Sequence, residues 1–231
     1  MRIFAIADLH LPGGDNKPMD VFGPHWAGHF EKIKADWNAR VREEDLVLLA
    51  GDLSWATLLK DAAADLQEIG SLPGQTVIVK GNHDYWWSSV SQLRSCLPPS
   101  MTALQHSAAR FGEVVVCGTR GWVFPMGDVQ LSEEDEKIYR RELMRLEMAL
   151  QEGVKLAQGR RLIAMTHYPP LYENQRDTAF TALMERYGVS DAVYGHLHGA
   201  GIYAGFRGEH HGVRYHLTSC DSLDFTLYEL S

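Results

Sequence analysis

Cysteine is scarce in this sequence: Cys96, Cys117 and Cys220 are the only three, and none stands in a C-x-x-C pair. An odd, widely spaced set excludes a disulfide framework and a thiolate zinc site, and it fits a reducing compartment. Long apolar runs are missing too, since no stretch approaches the ~20 residues that a membrane span needs. The apolar opening Ile3 to Ala7 is broken at once by Asp8, too early for a secretory leader, so the expected location is the cytoplasm. Positive charge is in short supply, with 22 Lys and Arg against 30 Asp and Glu and a formal charge of −8. That balance disfavours nucleic acid as a partner, and a membrane is not expected as one either. Repeats and low-complexity linkers are absent. No Walker A, G-x-S-x-G or H-E-x-x-H sequence occurs, which removes the phosphate-loop, serine-hydrolase and zincin readings. Gly199, Gly201 and Ala204 imitate a dinucleotide fingerprint, but no helical stripe follows to hold a pyrophosphate.

What is present is ordinary globular material, 45% hydrophobic and 23% charged, enough for a sizeable core. At about 100 to 200 residues per domain, residues 1–231 read as a single domain. Short runs rich in Val, Ile and Leu predict buried strands at Ile3 to Ala7, Leu46 to Ala50, Thr76 to Lys80, Leu162 to Thr166 and Ala192 to Tyr194. Helical stripes alternate with them. Trp26, Phe30, Ile33 and Trp37 mark a helix over residues 26–40, and Leu58, Ala62, Leu66 and Ile69 mark another over 57–69. The longest helix is predicted to start at Ser132, capped with Asp135, and to carry the stripe Tyr139, Leu143, Leu146, Leu150, Val154 and Ala157. Its other face, with Glu133, Glu136, Glu142 and Glu147 among Lys137, Arg141 and Arg145, reads as a solvated ion-paired surface. Antiparallel pairs are expected around the Phe111, Gly112 turn and between Val213 to Thr218 and Phe225 to Glu229. The fold class is therefore α/β with two packed sheets.

Each predicted strand ends on residues of one chemical kind. Asp8 and His10 follow the first, Gly51 and Asp52 the second, and Gly81, Asn82, His83 and Asp84 the third. His167 follows the fourth, and Gly195, His196 and His198 the fifth. Ligands of open α/β sheets bind beyond the carboxyl ends of strands, where such loops converge. Asp8, His10, Asp52, Asn82, His167, His196 and His198 are seven oxygen and imidazole donors without a thiolate. Seven are too many for one tetrahedral zinc and suit two ions sharing a carboxylate. Strand alternation would turn Asp8 and His10 to one face, with Leu9 between them in the core. A glycine before Asp52, Asn82 and His196 allows a tight turn or a close backbone approach.

Asp8-x-His10, Gly51-Asp52, Gly81-Asn82-His83-Asp84, His167 and Gly195-His196-x-His198, in that order, resemble the calcineurin-like metallophosphoesterase superfamily across nearly the whole chain. A given tetrapeptide such as Gly81 to Asp84 arises by chance in on the order of one chain in a thousand of this length, so with its four ordered companions coincidence is negligible. The resemblance implies a four-layer αββα fold, two mixed sheets flanked by helices, with a dinuclear site at the strand ends. It assigns Asp8, His10, Asp52 and His198 to one metal and Asp52, Asn82, His167 and His196 to the other. His83 would stand beside the leaving group, with Asp84 orienting its ring. The donor set suits Mn²⁺ first, with Fe or Zn²⁺ as alternatives. Two divalent ions would draw an anionic phosphate into an acidic protein and acidify a water for in-line attack. The expected activity is hydrolysis of a small phosphate monoester or diester, nucleotide-type substrates included. A nuclease of the same fold and a non-catalytic metal-binding interaction module are the alternatives. Leu53, Ser54 and Trp55 after Asp52 depart from the protein Ser/Thr phosphatases, and Trp55 replaces the tyrosine ligand of purple acid phosphatases.

Outside this pattern, His106, His210, His211 and His216 have no recognisable partner spacing and read as hydrogen-bonded or exposed histidines. The loops at 11–29, with His25, Trp26 and His29, and at 119–131, with Arg120, Trp122 and Phe124, are expected to shape specificity. Trp86 and Trp87 read as loop packing rather than base-stacking groups, and Arg120, Arg176 and Arg207 mainly as surface.

Overall fold

The computed structural model describes Met1–Gly14 and Lys17–Ser231; Asp15 and Asn16, within the 11–29 loop, lie outside the described residues. The chain packs as two compact units, Met1–Ala103 with Thr218–Ser231, and Leu104–Leu217. Each has its own mixed sheet flanked by helices.

In the first unit the elements run β1 (Ile3–Ile6), α1 (His29–Arg40), β2 (Leu46–Leu49), α2 (Leu59–Gly70), β3 (Gln75–Ile78), α3 (Val90–Arg94) and β4 (Met101–Ala103). Strands β1 to β4 lie parallel in sequence order, as expected of strands joined by helical crossovers. Because they are parallel neighbours, the loops leaving β1, β2 and β3 emerge at the same edge of the sheet. Alternate residues Phe4, Ile6, Val47, Leu49 and Ile78 pack with Phe30, Ile33 and Trp37 of α1 and Ala62, Leu66 and Ile69 of α2. Burying one such side chain is worth about 1.5 to 3 kcal/mol, so this layer dominates the stability of the unit. Helix α1 begins at His29 rather than at Trp26, because Gly28 takes a left-handed φ of 62° and separates it from a 3-10 turn over Pro24–Trp26.

The second unit runs β5 (Ser107–Phe111), β6 (Val114–Gly118), α4 (Glu133–Ala157), β7 (Arg161–Met165), α5 (Ala179–Arg186), β8 (Asp191–Tyr194), β9 (Gly208–His210) and β10 (Val213–Leu217). Its sheet has the order β5-β6-β7-β8-β10-β9, with β6, β7, β8 and β10 parallel and the edge strands antiparallel. Leu146, Ala149, Leu150 and Ala157 of α4 and Phe180, Leu183 and Met184 of α5 share one core with Val115, Leu162, Ala192 and Tyr215. The chain then returns to the first unit, where β11 (Tyr228–Leu230) pairs antiparallel with β1.

That last pairing corrects one expectation. Val213 to Thr218 and Phe225 to Glu229 do not pair with each other; β10 pairs with β8 and β9, and β11 with β1. A 3-10 turn at Cys220–Leu223 and left-handed Asp224 (φ 51°) and Phe225 (φ 58°) redirect the chain between them. Helix α4 starts as its cap predicts: the Asp135 amide donates to Ser132 Oγ at 3.0 Å, and that hydroxyl donates to the Asp135 carboxylate at 2.7 Å. Its charged face is not wholly solvated. Glu142 is fully buried and accepts from Thr119 Oγ1 and from Arg145, each at 2.7 Å. No helix among the described residues is long and apolar enough to cross a membrane.

Candidate metal centre

The first unit supplies Asp8 and His10 after β1, Asp52 after β2, and Asn82, His83 and Asp84 after β3. Asp8, His10, Asp52 and Asp84 are buried, and His83 is half-buried. Asp8 and His10 do bring donor atoms within 4.8 Å of each other, as expected, but not as alternate residues of a strand. Strand β1 ends at Ile6, and Asp8 (φ 63°) and His10 (φ 47°) both adopt the left-handed region, as does Asp52 (φ 54°). The strand-alternation reading is therefore corrected: the donors are presented by a left-handed run that keeps pairing β1 to β2 beyond the strands. The Asp8 amide donates to Gly51 O at 2.9 Å, the His10 amide to Asp52 O at 3.0 Å, and the Leu11 amide to Leu53 O at 2.9 Å. Leu9 is buried between the two donors.

Within this run His10 Nε2 lies 4.0 Å from Asp52 Oδ2, and the His83 amide donates to Asp52 Oδ1 at 2.8 Å. The glycine before Asn82 is required by space: a Cβ on Gly81 would stand 2.0 Å from Asp52 Oδ1 and 2.3 Å from its amide nitrogen. Gly51 is needed for its conformation, with a φ of 92°.

Asp84 takes a different part from the one the resemblance implies. Its carboxylate accepts from the amides of Asp52 (2.9 Å), Leu53 (2.8 Å), Ser54 (3.3 Å) and Gly81 (2.8 Å) and from Trp86 Nε1 (3.1 Å). Among the described residues its hydrogen bonds go to these five donors and not to the His83 ring. The geometry makes it the post that fixes the Asp52 loop against the Gly81 loop. Burial, with the Asp52 carboxylate beside it, pushes the Asp84 pKa up to about 6, against the pull of the amide donors.

Sequence reasoning missed two neighbours. Trp55, read only as a departure from other families, stacks on His10 at 4.7 Å and lies 4.5 Å from the His83 ring. Asp65 on α2 is buried and accepts from Ser54 Oγ at 2.5 Å and from the Gly13 amide at 2.9 Å. Its signal was available, since it is an acid inside the Ala62, Leu66, Ile69 stripe. Trp86 and Trp87 are buried, as loop packing requires. Trp26 is buried in the first core, while His29 Nε2 lies 2.8 Å from Leu9 O.

The second unit supplies His167 after β7 and His196 and His198 after β8, again from parallel neighbours. The His167 amide donates to Arg120 O at 2.9 Å, and the Gly195 amide to His167 O at 3.1 Å, so three loops are tied together. His196 has a left-handed φ of 74°, and its Nδ1 lies 3.2 Å from His167 Nε2. Metal–nitrogen bonds of 2.0 to 2.1 Å at a tetrahedral angle separate adjacent donors by about 3.3 Å, so this pair is spaced to share one ion. Tyr168 packs on the His196 ring at 4.2 Å. His198 caps a 3-10 helix over Gly199–Ala204, the segment that imitates a dinucleotide fingerprint, and the chain continues into strand β9 rather than into a helix. Arg120 lies over Trp122 at 4.3 Å, and Arg176 pairs with Glu173 at 2.9 Å.

The first unit thus presents carboxylate, carboxamide and imidazole donors at strand ends and the second presents imidazoles, kinds of donor that fit borderline or hard divalent cations. No curated protein matches the sequence. Among solved structures, the phosphopantetheinyl hydrolase PptH from Mycobacterium tuberculosis is 14% identical, with a TM-score of 0.57 over 99% of this chain and 95% of that one. The protein TT1561 of Thermus thermophilus is 16% identical, with a TM-score of 0.55 over 100% and 98%. The protein of unknown function AQ665 from Aquifex aeolicus is 14% identical, with a TM-score of 0.51 over 99% and 95%. These likenesses are of fold. The sequence profile described as calcineurin-like phosphoesterase matches residues 1–200, and with that span the chain belongs to the calcineurin-like phosphoesterase family of metal-dependent phosphoric ester hydrolases.

Proposed function

We propose that Asp8, His10, Asp52 and His198 hold one divalent cation and Asp52, Asn82, His167 and His196 a second, and that the protein hydrolyses small phosphate monoesters or diesters in a reducing cytoplasm. The observation that carries the reading is the concentration of left-handed donors at the strand ends: Asp8, His10, Asp52 and His196 all adopt this sparsely populated backbone conformation. Family membership and the 3.2 Å spacing of His167 and His196 support it. Mn²⁺ is the favoured metal on donor chemistry, ahead of Fe and Zn²⁺. When bound, the pair supplies Lewis acidity to the phosphoryl oxygens and to the attacking water.

The chain's own residues do the rest. Asp84 anchors the Asp52 backbone, Gly81 leaves room for the Asp52 carboxylate and the His83 amide bonds it, while Trp55 packs against the rings of His10 and His83. His83 gives a proton to the departing alkoxide. A charge of −8 favours a small substrate over a nucleic-acid strand. Buried Cys117 and Cys220 are unpaired thiols, in keeping with the compartment.

The test is a screen of metal-reconstituted protein on p-nitrophenyl phosphate, its bis ester, cyclic nucleotides, a phosphopantetheinyl conjugate and single-stranded DNA. Turnover of a small ester that depends on added Mn²⁺ is expected. Two bound equivalents without hydrolysis of any of them would leave the interaction-module reading, and preferential cleavage of DNA would make the protein a nuclease. In the same assay His83→Ala is expected to keep both metals and lose about 10² to 10⁴ in rate on alcohol leaving groups, the span of general acid catalysis. Unchanged turnover removes His83 from the reaction.

A further inference from the structure

A second cluster of ligand-type side chains lies wholly within the second unit. Asp177, just before α5, meets His210 and His211 of the β9–β10 hairpin: His210 Nε2 is 2.9 Å and His211 Nε2 3.2 Å from the same carboxylate oxygen. One donor atom from each of the three lies within 4.8 Å of the others. The two rings pack at 4.1 Å, so both imidazoles reach the carboxylate side by side. Sequence spacing could not show this, because 33 residues separate Asp177 from His210.

His210 pairs with Val213, which leaves His211 and Gly212 as a two-residue loop with φ of 48° and 77°. A turn with both central residues left-handed favours Asn, Asp or Gly at the first position, and histidine is among the residues that tolerate that conformation. Beside the cluster is a cavity of about 500 Å³ lined by Asp177, His211, Phe124, Tyr139, Thr181 and Glu185, among others. Asp177 is the most exposed of the three, and its carboxyl is held below the usual range first by the two histidine hydrogen bonds.

Two imidazoles and one carboxylate form a donor set for a borderline cation that leaves a coordination position open. We propose that Asp177, His210 and His211 bind a Zn²⁺-class ion, which clamps the segment before α5 to the β9–β10 hairpin with its open position available to a ligand in the adjoining cavity. This site shares no residue with the proposed dinuclear centre. It does not depend on that reading.

The test compares wild-type protein with Asp177→Asn/His211→Asn, in which asparagine keeps the left-handed turn and the carboxylate's shape. Chelator-stripped samples are dialysed against micromolar Zn²⁺, and bound metal is counted by atomic emission. The wild type is expected to hold one equivalent more than the variant, with a larger Zn²⁺-dependent rise in Tm. Mg²⁺, which prefers oxygen ligands, should produce neither difference. Both proteins retain the seven donors of the dinuclear centre, so a failure of that centre lowers both counts equally and leaves the difference intact. Equal zinc counts in two folded proteins, judged by matching circular dichroism, would overturn the proposal and leave a hydrogen-bonded trio. A variant that does not fold is replaced by His210→Gln, read by the same count.

Discussion

At the scale of single residues, the side chains with the most chemistry occupy the least favourable backbone. A left-handed conformation costs an ordinary residue roughly 1 to 2 kcal/mol, and Asp8, His10, Asp52 and His196 all adopt it. What the donors gain is direction: the segment holding left-handed Asp8 and His10 continues the β1–β2 hydrogen bonding and brings His10 within 4.0 Å of Asp52. The residue types that close these strands, and their order, were legible in the sequence. Their conformation was not, since φ depends on amide partners such as Gly51 O and the Asp84 carboxylate that lie far along the chain. Gly81 is where space is tightest. Gly81→Ala is expected to displace Asp52 and lower metal-dependent turnover by about 10²-fold, the cost of a misplacement near 1 Å. Steady-state kinetics with a parallel metal count checks this; full activity would mean the Asp52 loop shifts without consequence.

At the scale of elements, the central strands, the long helix and the β5–β6 hairpin at one sheet edge were readable, and the partner of β11 was not. β1, β2, β3, β7 and β8 lie within a residue or two of the apolar runs that predict them, because strands buried on both faces need unbroken apolar sequence. α4 announces itself by its cap. Replacing Ser132 with Ala should cost about 1 kcal/mol, measured as a lower urea midpoint at unchanged slope, because the Asp135 amide then loses its acceptor. An unchanged midpoint would show that solvent replaces the cap. α5 escaped notice although Thr178 and Thr181 form a reciprocal capping box, whose third-position Thr is not the Glu or Gln of the usual signature. Glu142 was placed on a solvated face by periodicity alone, yet Thr119 and Arg145 offset the cost of burying it. The strand after β10 was paired with the wrong neighbour because nearness in sequence predicts a hairpin, whereas the turn at Asp224 and Phe225 sends the chain to β1.

At the scale of the whole chain, net charge and the local networks of each unit set the response to solution conditions. In the second unit the Asp191 carboxylate is buried at the head of β8 and accepts from His216, Ser190, Arg161 and Arg214. Burial by itself would raise its pKa, but the hydrogen bonds with His216, Ser190 and Arg161 outweigh burial and hold it below the usual carboxylate range. A depressed carboxylate stabilises the fold above its unfolded pKa of about 3.9, and that contribution is lost as pH falls toward the folded value. Asp191→Asn should therefore destabilise the protein by about 3 kcal/mol at neutral pH, the low end for a broken buried pair because the arginines still reach water. The gap between variant and wild type should begin to narrow below about pH 4 in denaturant titrations and close only as pH approaches the depressed folded value. A gap that persists there would assign the loss to packing. The sequence by itself determined the class of chemistry, because metal affinity and phosphoester hydrolysis follow from the kinds of donor that close each apolar run and from their order. Only the tertiary structure decided how those donors are held, that Asp84 serves the loops rather than His83, and that Asp177 meets His210 and His211, because contacts across tens of residues are made by folding and leave no local pattern in the chain.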